Sequence, residues 1–338
     1  MAPSFDQAIR FAQDLIRIPS LPGQEGELAA RVLHEFQHLR FDDVWSDEVG
    51  NCFARVRGLG DAQPVMLSCH LDAVDVGDPA SWQFDPFGGT IADGFLHGRG
   101  AMDIKGPLAV QTYAAASFLH ERPPGDVIVA HTVLEERGGW GMEYLLQERA
   151  VWPAAVIIGE ATAGDLCIGH RGRAEVIVEI QGEAAHASAP ERARNPINAL
   201  ESIVPALQRF AAALPTDVLL GASTLAPTAL ETLPRSRNVI PDRVLVVLDW
   251  RLLPGTGAEL AVAQVRDALS TVSVPDGCSI QVRLSTEAQR SYTGRTRDRP
   301  MFTPGFRIAL DHPVVQAATA VIERSTGRSP ALRPWTFA

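Results

Sequence analysis

The chain has 338 residues, 46% of them apolar and 21% charged, with a formal net charge of −10. That size and balance allow a large core and two domains. The negative charge argues against a nucleic-acid or anionic-membrane partner, because no basic stripe is present to displace counterions from a polyanion.

In chain order, the spacing of Ile9, Phe11, Leu15 and Ile16 predicts a helix from Phe5 to Arg17. "IPSLPGQEG" ends it. Leu28, Val32, Leu33 and Phe36 form one stripe of a second helix, Glu25 to Leu39. "CFARVRG" and "PVMLSCH" read as strands joined by a hairpin turn at "LGDAQ". "IADGFLHGRGAMD" holds a short Asp-Gly hairpin and a glycine-rich turn. "GPLAVQTYAAASFLHE" is a helix with proline in its first turn. "DVIVAHTVLEE" is a strand, "GMEYLLQERA" a helix and "AAVIIGEAT" a strand. Strands and helices that alternate, with apolar strands, predict a mostly parallel buried sheet in an α/β domain.

The texture changes near Arg173. "AEVIVEIQG" alternates in polarity, and "NPINALESIVPALQRFAAAL" is a helix with Ile197, Leu200, Ile203, Leu207, Phe210 and Leu214 inward and Pro205 as a kink point. Two strands, a helix over "GAELAVAQVRDALSTV" and a strand at "SIQVRLSTEA" complete a β-α-β-β-α-β, ferredoxin-like module. It reads as an α+β insertion. The predicted division is 1–172 for the first part of a catalytic domain, 173–290 for a lid and 291–338 for the catalytic domain's second part.

The N-terminus is amphipathic and carries acids, unlike a signal peptide, and no stretch is long and apolar enough to span a membrane. The cysteines, Cys52, Cys69, Cys167 and Cys278, form no C-x-x-C and suggest no disulfide framework. A reducing cytoplasmic location is expected.

Strand tips carry the chemistry. "VMLSCHLDAVDVGD" ends an apolar run at His70, with Asp72 two residues on and on the same side of an extended chain. "DVIVAHTVLEE" ends at Glu135 and Glu136, "AAVIIGE" at Glu160, and Asp103 stands before a helix in "HGRGAMDIKGP". In open α/β sheets, sites lie outside such carboxyl ends. Taken singly, each has an ordinary reading: a surface histidine, a solvated Glu-Glu edge, a helix-capping aspartate. Together, one imidazole and several carboxylates suit a divalent cation such as Zn²⁺, without which they repel one another.

These residues carry a resemblance. "HLD" at 70–72, "GRGAMDIKG" at 98–106, "EE" at 135–136, "IIGE" at 157–160, "GEAAHAS" at 182–188 and "NVIPDRVLVVLDWRLLPG" follow the order of the M20 metallopeptidase and deacylase family. That family includes acetylornithine deacetylase, succinyl-diaminopimelate desuccinylase, carboxypeptidase G and the aminoacylases. The segments around "YTG" and "DHPVVQAA" resemble its YgeY-type branch. The resemblance implies a zinc-dependent hydrolase that cleaves an amide bond beside a free carboxylate, in an N-acyl amino acid or a short peptide. It implies two Zn²⁺ ions, with Co²⁺ or Mn²⁺ as substitutes, and a homodimer formed through the lid. Asp103 would bridge the ions, His70 and Glu160 would complete one site, and Glu136 would serve the other. Asp72 would orient His70, and Glu135 would be the general base. His186 would reach the oxyanion of a partner subunit's site. Arg251 and Asn238 would hold the substrate carboxylate. Ordinary readings are a solvated His186 beside Ser188 and an Arg251–Asp249 ion pair.

The family pattern has one more histidine near its C-terminus. Here only His312 follows the lid, placed as a helix-entry residue before Pro313. The expectation is a chain some tens of residues short, with one tightly held metal or none, little hydrolysis, and apolar surface around Trp335 and Phe337. The alternative from another class is a catalytically impaired, lid-mediated dimeric binding protein.

Overall fold

In the computed structural model, which describes residues 4–148 and 152–335, helix α1 (Phe5–Ile16) begins with a reciprocal cap. Ser4 and Gln7 each hold the other's backbone N–H. Helix α2 (Gly26–His38) follows the break at Pro19 and Pro22. The strands are β1 (Asp43–Ser46), β2 (Cys52–Val56) and β3 (Ala62–His70), then the Asp93-Gly94 hairpin of β4 (Thr90–Ala92) and β5 (Phe95–His97). Both turn residues of that hairpin have positive φ, as a two-residue turn of this kind requires. Then come α3 (Gly106–Ser117), β6 (Gly125–Thr132), α4 (Trp140–Glu148) and β7 (Ala155–Ile158).

The five-stranded sheet has the order β1-β2-β6-β3-β7. The hairpin expected between β2 and β3 does not form. Strand β6 lies between them, antiparallel to β2 and parallel to β3. The reason is burial. Strand β6 is covered along nearly its whole length and takes the centre. The connection at 57–61 instead runs over the entry to β6, where Leu59 and Gly60 donate to the carbonyls of Pro123 and Pro124. The sheet is therefore mixed: parallel across β6, β3 and β7, antiparallel across β1 and β2. Strand β7 also differs from expectation. It is an edge, and Val156, Ile157 and Ile158 are exposed.

Phe11, Leu15, Leu28, Val32, Phe36, Leu108 and Val129 belong to the main core on this sheet. Each such side chain contributes about 1.5–3 kcal/mol by leaving water. A later segment also joins it. Tyr292 donates to the carbonyl of Gly50 at 3.0 Å, and a Cβ on Gly50 would lie 2.2 Å from the Tyr292 ring. Only glycine fits there.

The chain forms two units, Met1–Ala163 with Ala288–Arg297 and Gly164–Glu287 with Asp298–Ala338. The boundaries predicted at 173 and 291 fall elsewhere. The excursion 288–297 belongs with the first unit, and the segment after it belongs with the second.

The second unit contains β8 (Leu166–His170) and β9 (Gly172–Gln181), then α5 (Leu200–Ala212), strands Thr224–Leu233 and Arg243–Leu252, α6 (Ala258–Leu269) and strand Ser279–Leu284. The strand over "SIQVRLSTEA" breaks at Ser285 and resumes at Thr286–Arg290. The sheet order, Thr224–Leu233, Arg243–Leu252, β9, Ser279–Leu284, is antiparallel throughout. This is the predicted ferredoxin-like arrangement. Ile203, Leu207, Trp250 and Val265 fill its core. Ile197 is instead 41% exposed, because it precedes the helix in a 3₁₀ turn, Pro196–Ala199. His312 caps α7 (Pro313–Thr326) by accepting from the Val314 N–H. Trp335 ends a strand, Leu332–Trp335, beside β8 and is half-buried, which differs from the open apolar surface expected there. Phe337 lies outside the described residues. Among the described residues no helix is long and apolar enough to cross a membrane.

Candidate metal centre

His70 is the last residue of β3 and is 2% exposed. Its Nδ1 lies 2.8 Å from the main-chain carbonyl of Asp72. A carbonyl only accepts, so Nδ1 carries the proton and Nε2 is the ring's free ligand atom. Nε2 stands 3.0 Å from Asp103 Oδ1, 3.5 Å from Glu160 Oε1 and 3.9 Å from Glu135 Oε2.

Asp103 reaches this point from the glycine-rich turn. Gly98 and Gly100 both have positive φ, and a Cβ on Gly98 would lie 2.4 Å from the side chain of Ile16. The Asp103–Ile104 peptide is cis. Buried Lys105 anchors the turn by donating to the Ile18 carbonyl at 2.6 Å, and burial pushes its pKa down to about 8. Glu160 follows β7, where Gly159 donates to the Ser68 carbonyl. A Cβ on Gly159 would lie 2.4 Å from Cys69 Sγ.

One ligand atom each from His70, Asp103 and Glu160 lies within 4.8 Å of the others. Two N or O donors on one tetrahedral zinc stand roughly 3.3–3.5 Å apart, from bond lengths of about 2.0–2.2 Å. The 3.5 Å separation from Glu160 fits that spacing, and the 3.0 Å one from Asp103, a hydrogen-bond distance, is a few tenths of an ångström shorter. The electrostatics fit as well. Burial opposes a charge on His70, but Asp103, Asp72 and Glu160 outweigh it and raise the pKa well above the ordinary histidine value. A divalent ion held among these acids would take the place of a proton on His70 Nε2. The His70 contact in turn lowers the pKa of Asp103.

Glu135 and Glu136 do not sit on the strand. Strand β6 ends at Thr132, and the two acids lie in the turn beyond it. Leu134 there is left-handed, with φ of 55°, which costs a non-glycine residue roughly 1–2 kcal/mol. Four consecutive N–H groups of this turn are held by side-chain oxygens. Val133 donates to Asn51 Oδ1 at 3.0 Å and Leu134 to Glu25 Oε1 at 3.1 Å. Glu135 and Glu136 donate to the two oxygens of Asp72, at 3.0 and 2.9 Å. Gln289 donates to the Arg137 carbonyl at 2.6 Å.

Asp72 thus has a different principal contact from the one expected. It is fully buried and its carboxylate clamps the Glu135–Glu136 turn. Its distance to His70 Nδ1 is 3.6 Å, while its main-chain carbonyl makes the closer contact. About half of the Glu135 side chain is open, yet the protein around its carboxyl, then the charges of Asp72, Glu160 and Glu136, raise its pKa to about 7. Surrounding protein likewise raises Glu136. Glu136 is not among the three residues whose donor atoms converge.

Glu25, Asn51 and Gln289 were not picked out as site residues from sequence. Glu25 looks like a helix-start acid and Asn51 like a turn residue before a strand, so neither carries a local signal.

The remaining candidates lie in the second unit. His186 is exposed, its Nδ1 2.7 Å from Ser188 Oγ. It pairs with Val239 in a short ladder, and the Asn238 carbonyl accepts from the Ala187 N–H. His186 and Asn238 are therefore neighbours. Arg251 donates to Asp249 at 2.8 Å, and Asp249 also accepts from Arg173.

Residues 66–336 match Peptidase family M20/M25/M40. The uncharacterized Escherichia coli (strain K12) protein YgeY is 30% identical over 331 residues, 97% of this chain and 81% of that one. A succinyl-diaminopimelate desuccinylase of Dinoroseobacter shibae is 31% identical over 336 residues, 96% of this chain and 84% of that one. Among solved structures, the M20 family metallo-carboxypeptidase Sso-CP2 of Sulfolobus solfataricus superposes with a TM-score of 0.71 at 17% identity, covering 98% of this chain and 86% of that one.

Proposed function

Because the chain belongs to peptidase family M20/M25/M40, a family of hydrolases, we propose that it is a zinc-dependent amidohydrolase that cleaves an amide bond next to a free carboxylate. The substrate is an N-acyl amino acid or a short peptide. The family match and its desuccinylase and carboxypeptidase relatives favour this reading over the impaired binding protein. The observation that carries it is the convergence of His70, Asp103 and Glu160 donor atoms within 4.8 Å, with the Glu135 carboxyl beside them.

His70, Asp103 and Glu160 would hold one ion, and Asp103 with Glu136 would contribute to a second. A divalent ion there supplies Lewis acidity, making water more acidic and polarising the scissile carbonyl. Glu135, with its pKa raised to about 7, takes the proton from the attacking water and returns it to the departing nitrogen. His186, from the partner subunit of a lid-mediated homodimer, donates to the developing oxyanion. Arg251 and Asn238 hold the substrate carboxylate; the planar guanidinium suits that task. The reading places the chain in a reducing cytoplasm, where its four cysteines would stay as thiols.

The test is a panel of N-acetyl and N-succinyl amino acids against dipeptides, with Zn²⁺, Co²⁺ or Mn²⁺ added. Glu135→Gln is expected to lower turnover by at least about 10²-fold, the order of a positioned acid-base group, while metal content stays unchanged. Full turnover by that variant would exclude Glu135 as the base.

A further inference from the structure

Glu25 directly precedes α2, where an acid would ordinarily face water and the helix's own N–H groups. It does neither. Its side chain makes no capping hydrogen bond, and the residue is fully buried. Instead Oε1 accepts the N–H of Leu134, far away in sequence, and Oε2 is sealed from solvent without a well-formed hydrogen bond, the main chain of Gly23 lying beside the carboxyl. Burying a carboxyl this way is costly. Leu134 is the left-handed residue that turns the chain from β6 into Glu135 and Glu136. Asp72 reaches the next two N–H groups but not this one.

We propose that Glu25 is a positioning residue of the Glu135–Glu136 turn: by accepting the Leu134 N–H from behind, it holds the left-handed bend that aims the two acids. This rests on the reading of Glu135 as the base. Reach, not charge, is what the role requires. Burial, with the Asp72 charge adding to it, raises the carboxyl's pKa to about 7, so the neutral form is readily adopted. Glu25→Gln keeps the length and the acceptor oxygen. Glu25→Asp keeps the charge and loses one methylene of reach.

The test uses two readouts on the full chain. In the metal-free protein, amide exchange at Leu134 is expected to be about 10-fold faster or more in Glu25→Asp and near wild type in Glu25→Gln. With metal and substrate, kcat of Glu25→Asp is expected to fall by about 10–10²-fold, the scale of an ångström's misplacement, with KM within about twofold and metal content unchanged. Glu25→Gln should restore most of kcat. Exchange and kcat both unchanged in Glu25→Asp overturn the proposal. So does a Glu25→Gln variant with fast exchange at Leu134, a result that decides even if Glu25→Asp does not fold. A wild-type protein that turns over nothing in the panel sinks the amidohydrolase reading, yet leaves the exchange comparison to judge Glu25.

Discussion

Replacing Asp72 probes the clamp on the Glu135–Glu136 turn from its other side. Each carboxylate oxygen accepts one backbone N–H, at 3.0 and 2.9 Å, in a fully buried position. A hydrogen bond to a charged group contributes about 1.5–3 kcal/mol. Asp72→Ala removes two, an upper limit of about 3–6 kcal/mol. Two effects offset part of this. Water can reach the partly exposed turn, and removing the charge relieves repulsion that raises the pKa of Glu25 and Glu135. We therefore expect about 3 kcal/mol in urea unfolding of the metal-free protein. Asp72→Asn keeps one acceptor but points an amide N–H₂ at the other N–H, so about 2 kcal/mol is expected. Metal affinity, measured by chelator competition, should change by less than about 10-fold in both variants, because the main-chain carbonyl of residue 72 that contacts His70 Nδ1 remains and only a carboxylate oxygen 3.6 Å away is lost. An Asp72→Asn protein within about 0.5 kcal/mol of wild type would refute the clamp and its magnitude.

Three further outcomes follow from other residues. Glu25 titrates at about 7 in the folded chain against 4.5 in the unfolded one, so the folded state keeps a proton that the unfolded state releases. Its contribution is full below pH 4.5 and is lost as pH rises through about 7. Glu25→Gln should accordingly gain up to about 3 kcal/mol relative to wild type between pH 4.5 and 8 in paired urea melts, and a pH-independent difference would contradict the buried-acid assignment. Arg251→Ala should raise KM for a carboxylate substrate by about 10-fold or more while changing kcat less, and an unchanged kcat/KM would remove Arg251 from substrate binding. The strand Thr224–Leu233 is a sheet edge with Leu230 57% exposed. Light scattering at micromolar concentration is expected to report a dimer, and a monomer would count against both the lid interface and His186 acting in a partner's site.

The sequence by itself was enough for whatever depends on neighbours along the chain. Helical stripes in α1 and α2, the Asp93-Gly94 turn and the β-α-β-β-α-β order of the second unit are local patterns, and the structure has them. The three converging donors were legible too, because His70 and Glu160 stand at or just past the ends of apolar strands and Asp103 stands in a glycine-rich turn before a helix, patterns that need no partner to be noticed. What depended on remote pairing was not. The periodicity of β2 and β3 says that both are strands but not that β6 enters between them. The apolar run of β7 reads as a buried strand, yet only its place at the sheet's edge decides that it is exposed. Glu135 and Glu136 look like a strand tip, whereas a left-handed Leu134 carries them into a turn. That turn has few main-chain partners for its N–H groups, so side chains brought from residues 25, 51 and 72 supply the acceptors. A hydrogen bond spanning more than a hundred residues leaves no period or motif at either end, and only the folded chain reveals it.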